Sequence, residues 1–199
     1  MSHYFETPSG IGRRRTIAAR FWDTDWTFET ADGVFSADRL DPGTAVLLRE
    51  STPPAGATRL LDLGCGYGVL AVALAVSSPR ASVDAVDVNE RALELCATNA
   101  DRHGVATRVH PLLPDDADPV ASYDEIWSNP PIRIGKQALH DMLLTWLPRL
   151  SPDGVARLVV GRNLGADSLQ TWLTDEGWRC DRVASAKGYR VFAVRKTTI

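Results

Sequence analysis

The sequence predicts an α/β fold: a mostly parallel seven-stranded sheet with helices on both faces, preceded by a β-rich N-terminal extension. Three observations predict it. From Thr58 onward, short apolar runs of strand character alternate with runs of helical spacing, the pattern of βαβ units on a sheet covered on both faces. The first of these strands, Leu60-Leu61-Asp62-Leu63, passes directly into three glycines on alternate positions and then into a helix. The last two, residues 179–185 and 189–196, lie on either side of Lys187-Gly188 and read as a closing antiparallel pair.

Taken in chain order, residues 16–22 and 26–30 are rich in β-branched and aromatic side chains and flank Asp23-Thr24-Asp25, a turn. A third short element, Val34-Phe35-Ser36, follows Asp32-Gly33. Asp41-Pro42-Gly43-Thr44 opens a helix that runs through Arg49, with Asp41 or Thr44 as its cap. Residues 51–56, rich in proline and small side chains, form a loop. Strands are then expected at 59–63, 82–87, 108–112, 123–128 and 155–160, and helices at 69–76, 90–103, 137–150 and 166–176. Residues 1–50 are read as a β-hairpin extension and lid helix of the same domain that residues 51–199 complete.

Composition excludes several classes. With 199 residues, 44% hydrophobic and 24% charged, the chain suits one globular domain with a substantial core. No apolar run is long enough to span a bilayer, and the first residues lack the layout of a secretory leader, so a cytoplasmic protein without membrane partners is expected. Cys65, Cys96 and Cys180 are widely spaced and the four histidines are scattered, so no metal site is expected. A net charge of −3 argues against a bulk polyanion binder. Basic runs at Arg13-Arg14-Arg15 and along residues 179–196 read first as solvated faces, and matter to a nucleic acid only where they border a site.

The strongest local signal is Asp62-Leu63-Gly64-Cys65-Gly66-Tyr67-Gly68. A tight strand-to-helix turn that a ligand approaches closely needs glycine, because side chains would obstruct it. The spacing is G-x-G-x-G, where dinucleotide enzymes use G-x-G-x-x-G. Asp62, just before the turn, can face the ammonium of a methionine moiety, whereas a pyrophosphate would be repelled there. This points to S-adenosylmethionine. Asp87 ends the next apolar strand about twenty residues on, where an acid can accept from both ribose hydroxyls. Alternatively it caps the helix that follows, or Asn89 caps while Asp87 binds. The cofactor candidates are Asp62, Gly64, Cys65, Gly66, Gly68, Asp87 and Val88.

The second signal is Ser128-Asn129-Pro130-Pro131-Ile132, placed just after the fourth strand of the alternating series and so at the same edge of the sheet. Two prolines stiffen the backbone and push the preceding residues away from helix. Such a loop can aim the Asn129 amide oxygen and the Pro130 carbonyl at one point. An exocyclic NH2 needs this arrangement, because its lone pair is delocalised into the ring. Two acceptors on its hydrogens turn and polarise the nitrogen, and they bind more strongly as charge develops there. Asn129, Pro130, Pro131 and Ile132 are therefore the catalytic candidates.

With both motifs in place the chain resembles the small-domain class of S-adenosylmethionine-dependent methyltransferases, and more narrowly the catalytic domain of 16S ribosomal RNA guanine-N2 methyltransferases. The resemblance is carried by His3-Tyr4-Phe5, Asp32-Gly33-Val34-Phe35-Ser36, Leu40-Asp41-Pro42-Gly43-Thr44, the glycine turn and Asn129-Pro130-Pro131. It implies a Rossmann-like class I methyltransferase fold, S-adenosylmethionine as cofactor, S-adenosylhomocysteine as product, and RNA, foremost ribosomal RNA, as partner. It also implies that Phe35 covers the cofactor, and that a polar residue after the third strand, here best matched by Asp115, touches its adenine. The chain departs from the family at Ile132, where an aromatic side chain usually stacks on the target base. Arg133 and Lys136 after the loop, with Lys187 near the closing turn, are candidates for RNA phosphates. Adenine N6, a protein glutamine amide, or RNA binding without catalysis are the competing readings.

Overall fold

The computed structural model describes residues 13–197. His3, Tyr4 and Phe5 lie outside the described residues. Seven strands form one sheet in the order β5-β4-β3-β6-β7-β9-β8, and β1 and β2 form a separate antiparallel pair. In the large sheet, β3 (Arg59–Leu63), β4 (Ser82–Val86), β5 (Val109–Leu112), β6 (Tyr123–Ser128) and β7 (Leu150–Gly161) pair parallel. β9 (Tyr189–Lys196) runs antiparallel to both β7 and β8 (Trp178–Ala186). The expected Rossmann-like architecture is the one observed.

The chain winds outward from β3 through α2 (Val69–Ser77), β4, α3 (Glu90–Arg102) and β5, then returns to lay β6 on the other side of β3. This reversal opens a crevice at the carboxyl ends of β3 and β6, where ligands of open α/β sheets bind. The Ser128 hydroxyl, fully buried, bridges it by donating to the Leu63 carbonyl at 2.7 Å. α4 (Lys136–Trp146) and α5 (Ala166–Asp175) complete the helical layers, and two apolar clusters, one containing α2 and α3 and the other α4 and α5, form the core.

Four local expectations are corrected. The β1 (Arg14–Phe21) to β2 (Thr24–Ala31) connection is a two-residue turn at Trp22-Asp23, with φ of 48° and 55°, one residue before the expected turn. Tertiary contacts decide this, since the Trp22 indole donates to the carbonyls of Leu48 and Ser51, both at 2.9 Å, and packs edge-on against Trp127. Val34-Phe35-Ser36 is turn, not strand, with Ser36 at φ 55° and its hydroxyl donating to the Arg39 carbonyl. α4 stops at Trp146 rather than at residue 150, because Pro148 cannot continue it. β7 begins already at Leu150, opposite Tyr123, and resumes regular pairing at Val155 opposite Glu125.

α1 (Pro42–Arg49) packs near β7 and β9. Its cap is Asp41, whose carboxylate accepts the Thr44 N–H at 2.9 Å. The β1–β2 hairpin inserts Ile17, Phe21, Trp26 and Phe28 into the same cluster as α2 and α3. Asn99 of α3 fastens it: the amide accepts from Glu29 N–H at 2.7 Å and donates to the carbonyls of Glu29 and Tyr67, each at 2.8 Å.

Candidate active site

The glycine turn is held by backbone. The Gly64 and Cys65 N–H groups both donate to the Val86 carbonyl, at 2.8 and 3.0 Å, locking the end of β3 to the end of β4. A methyl group built on Gly66, where φ is 53°, would meet nothing within 4 Å, so this position opens on space a ligand can fill. Gly68 is different. A Cβ there would stand 2.6 Å from the Cys96 sulfur and 3.1 Å from its Cα, so this glycine lets α2 start against α3. Cys65 is buried, and burial together with the neighbouring Cys96 thiol pushes its own thiol up, so it stays a neutral thiol.

The two acids of the turn have different surroundings. Asp62 is fully buried: one carboxylate oxygen accepts the Ala71 N–H at 2.9 Å, and the other has no partner among the described residues. Loss of solvation pushes its carboxyl up to about 8, against the Ala71 hydrogen bond and with the added charge of Asp87. Asp87 accepts from Gly66 N–H at 2.8 Å and from Asn89 N–H at 2.9 Å. Burial raises it, and the N–H groups of Asn89, Gly66 and Val88 oppose the rise. Each oxygen keeps a lone pair for a hydroxyl donor. Asn89 takes the capping role, accepting from Arg91 N–H at 3.1 Å, which leaves Asp87 to the crevice.

An orphaned buried acid, a glycine cradle that a Cβ would fill, and an acid with spare acceptor capacity fit S-adenosylmethionine. Asp62 and Asp87 would take its donors and Gly64 and Gly66 would leave it room. Val88 and Phe35, each about half exposed (50% and 54%), offer apolar surface beside this rim. The Phe35 segment is tethered there by the Asn89 side chain, which donates to the Gly33 carbonyl at 3.0 Å. Asp115 lies beyond β5 in a short 3₁₀ turn and is exposed.

The Asn-Pro-Pro loop sits against the glycine turn: a Cβ on Gly64 would be 3.8 Å from Pro131 Cδ. All peptide bonds among the described residues are trans. The Pro130 carbonyl accepts the Ile132 N–H at 2.8 Å, and Pro131, with φ −73° and ψ 74°, forms the inverse γ-turn that this bond closes. One lone pair of the carbonyl remains. The Asn129 NH2 donates to Asp41 Oδ2 at 2.6 Å and to Thr44 Oγ1 at 3.0 Å, while its Oδ1 has no hydrogen bond among the described residues. The loop therefore carries an amide oxygen that is free to accept.

Ile132 and Lys136 line a cavity of about 270 Å³ with Leu139, His140, Leu164, Gly165, Ser168 and Leu169, between the starts of α4 and α5. Lys136 is exposed and has no acidic partner among the described residues. The Arg133 side chain lies outside the described residues. Lys187 occupies the β8–β9 turn with φ 48°, exposed, at the edge where β9 begins beside the end of β7. The structure thus brings Asp62, Gly64, Gly66, Asp87, Asn129 and Pro131 to one crevice, with Lys136 and Lys187 on the same edge of the sheet. Sequence reasoning did not assign Asp41 and Thr44 to this site. The signal available was Gly43, an unfavourable residue in the first turn of a helix unless something packs closely over it.

Comparison with known proteins identifies the family. The family model described as methyltransferase small domain matches residues 25–193. The chain is 32% identical over 98% of its length, and 98% of the relative's, to the uncharacterized protein YbxB of Bacillus subtilis. It is 39% identical over 68% of its length to ribosomal RNA small subunit methyltransferase C of Hahella chejuensis, spanning 40% of that protein. Among solved structures, the T. thermophilus 16S rRNA N2 methyltransferase RsmC, in complex with S-adenosylmethionine and guanosine, superposes with a TM-score of 0.77 at 25% identity. That match covers 96% of this chain and 52% of the other, so the chain spans about half or less of these ribosomal RNA methyltransferases.

Proposed function

The chain belongs to the methyltransferase small domain family and is an S-adenosylmethionine-dependent methyltransferase, and from that premise we propose that its acceptor is the exocyclic N2 amino group of a guanine in ribosomal RNA. The observation that carries this reading is the Asn129 amide. Its two hydrogens are engaged on the protein side, which leaves Oδ1 as an acceptor on a stiff loop beside the glycine turn.

Bound S-adenosylmethionine supplies a methyl group made electrophilic by a sulfonium. Asn129 Oδ1 and the remaining lone pair of the Pro130 carbonyl accept the two hydrogens of the acceptor NH2 and turn its lone pair out of conjugation. With the cofactor bound, transfer to an amine held by Asn129 and Pro130 would form an N–C bond at that nitrogen, the methyl's former bonding pair would remain on sulfur, and the surplus proton would pass to solvent. Positive charge grows on the N–H groups during this step, so both hydrogen bonds strengthen and the rate gains from differential binding. No strong base is needed. Ile132 and the cavity beside it give the base an apolar wall, and Lys136 and Lys187 suit RNA phosphates on the same edge.

The test is transfer of tritium from labelled cofactor to small ribosomal subunits, naked 16S RNA, tRNA, DNA and release factors, followed by mass spectrometry of nuclease fragments. Label recovered as N2-methylguanosine supports the proposal. Label on adenine N6 or on a glutamine amide moves the acceptor. Intact cofactor binding with no transfer to any of these substrates overturns it.

A further inference from the structure

Asn129 is oriented from a distant part of the chain. Its partners Asp41 and Thr44 stand 88 and 85 residues earlier, at the start of α1. A carboxylate only accepts hydrogen bonds, so the end of the amide facing Asp41 is its NH2 end. The 2.6 Å contact is charge-assisted, the strong class of hydrogen bond. The same Asp41 oxygen caps α1 through the Thr44 N–H, so one carboxylate fixes both the helix and the amide. Gly43 permits the approach. A Cβ on it would lie 2.9 Å from Asp41 Oδ2, 3.0 Å from Tyr189 Cε1 and 3.2 Å from Asn129 Oδ1.

We propose that Asp41, assisted by Thr44, is a positioning residue for methyl transfer: it holds the Asn129 amide with Oδ1 presented to the acceptor amine and makes that oxygen a better acceptor. The proposal rests on Asn129 being the group that binds the acceptor. Rotation of an asparagine amide about its last torsion is broad and roughly two-fold, so nothing intrinsic prevents Asn129 from turning its NH2 outward. An NH2 meeting the acceptor's NH2 places donor against donor. The clamp removes that alternative. It also sets a negative charge beside the Nδ2 hydrogens, which draws electron density toward Oδ1, as chained hydrogen bonds do. Asp41 touches neither cofactor nor acceptor in this scheme and acts wholly through Asn129.

Two substitutions separate this role from capping. Asp41→Asn and Asp41→Ser both cap helices well, but only asparagine keeps an oxygen long enough to reach Asn129. The expected result is a severalfold drop in kcat for D41N and a further drop of about tenfold or more for D41S and for Thr44→Val. KM and calorimetric affinity for S-adenosylmethionine stay at the unsubstituted level in both D41N and D41S. Gly43→Ala, whose methyl crowds Asp41, Tyr189 and Asn129, lowers kcat in the same way. Equal kcat in D41N and D41S, or a D41S loss matched by lost cofactor affinity, overturns the proposal. A second readout does not depend on any acceptor: the Asn129 side-chain NH2 signal in ¹⁵N NMR. It is expected to exchange slowly in the unsubstituted protein and in D41N, and rapidly in D41S. Identical exchange in all three refutes the clamp even if methyl transfer to guanine is confirmed, and protected exchange lost in D41S upholds it even if the acceptor is something else.

Discussion

At the glycine turn, Asp87 is held by the N–H groups of Gly66 and Asn89, backbone donors that side-chain substitution leaves in place. At the Asn-Pro-Pro loop, Asn129 is held by the side chains of Asp41 and Thr44, which a single substitution takes away. Both ends of the crevice fix a polar group by hydrogen bonds, yet one draws on the loops that follow two adjacent strands and the other on a helix that stands 85 to 88 residues earlier in the chain. The cofactor end should tolerate change in its supports and suffer when its own acids are replaced. The acceptor end should suffer from both.

The largest expected effect is at the acceptor end. Asn129→Ala should lower kcat by roughly 10²–10³-fold, the usual cost of removing one group aimed at developing charge, with calorimetric cofactor affinity kept. A parallel loss of affinity would dissolve the division between the two ends. At the cofactor end, Asp87→Ala removes a charge-assisted acceptor of ribose hydroxyls and should weaken cofactor binding by about tenfold or more in calorimetry. Unchanged affinity would take Asp87 out of the site.

Two glycines of one motif sharpen the contrast further. Gly68→Ala drives a methyl into Cys96 at a positive φ and should cost about 1–3 kcal/mol of stability, read as a lower urea midpoint. Gly66→Ala also sits at a positive φ, which costs about 1–2 kcal/mol by itself, but it meets no protein atom within 4 Å, so its further effect should fall on cofactor affinity. Asp62 makes a smaller, pH-dependent prediction. Its carboxyl, near 8 in the folded chain and near 3.8 when unfolded, keeps a proton on folding. Its contribution to stability is therefore full below about pH 4 and is lost progressively as pH rises toward about 8. Asp62→Asn should flatten that part of the melting-temperature profile of the cofactor-free protein. A profile identical to the unsubstituted one would mean that Asp62 ionises normally. The smallest expected effect is at the rim: Lys136→Ala and Lys187→Ala together should reduce the salt slope of RNA binding by about 1.4, at 0.7 per phosphate on a single strand. An unaltered slope would remove both from the RNA path.

The cofactor end was legible in the sequence because its information is local. Strand, glycines and helix follow one another within a dozen residues, and Asp87 sits at a fixed spacing set by one βαβ unit. The sequence is compatible with either Asp87 or Asn89 as the cap of α3, and the structure gives that role to Asn89. The acceptor loop was legible as a motif but not as a device, since nothing near Asn129 in sequence says what holds its amide. The turn at Trp22-Asp23 was missed for a related reason. Local turn chemistry favours the Asp-Thr-Asp stretch, and the indole's bonds to Leu48 and Ser51 override it. The end of α4 could have been read from Pro148 alone, and the periodicity of residues 137–150 concealed it.

Asn99 has a bearing on how the molecule breathes. Its buried amide is shared between β2 and Tyr67, inside the glycine turn, so peeling the hairpin away breaks two of its three hydrogen bonds and loosens the hold on the third. The two-stranded ribbon and the loop below it should consequently loosen as one cooperative unit, with amide protons of both exchanging at a common rate. Residues 70 positions apart in the chain thereby share a single opening event.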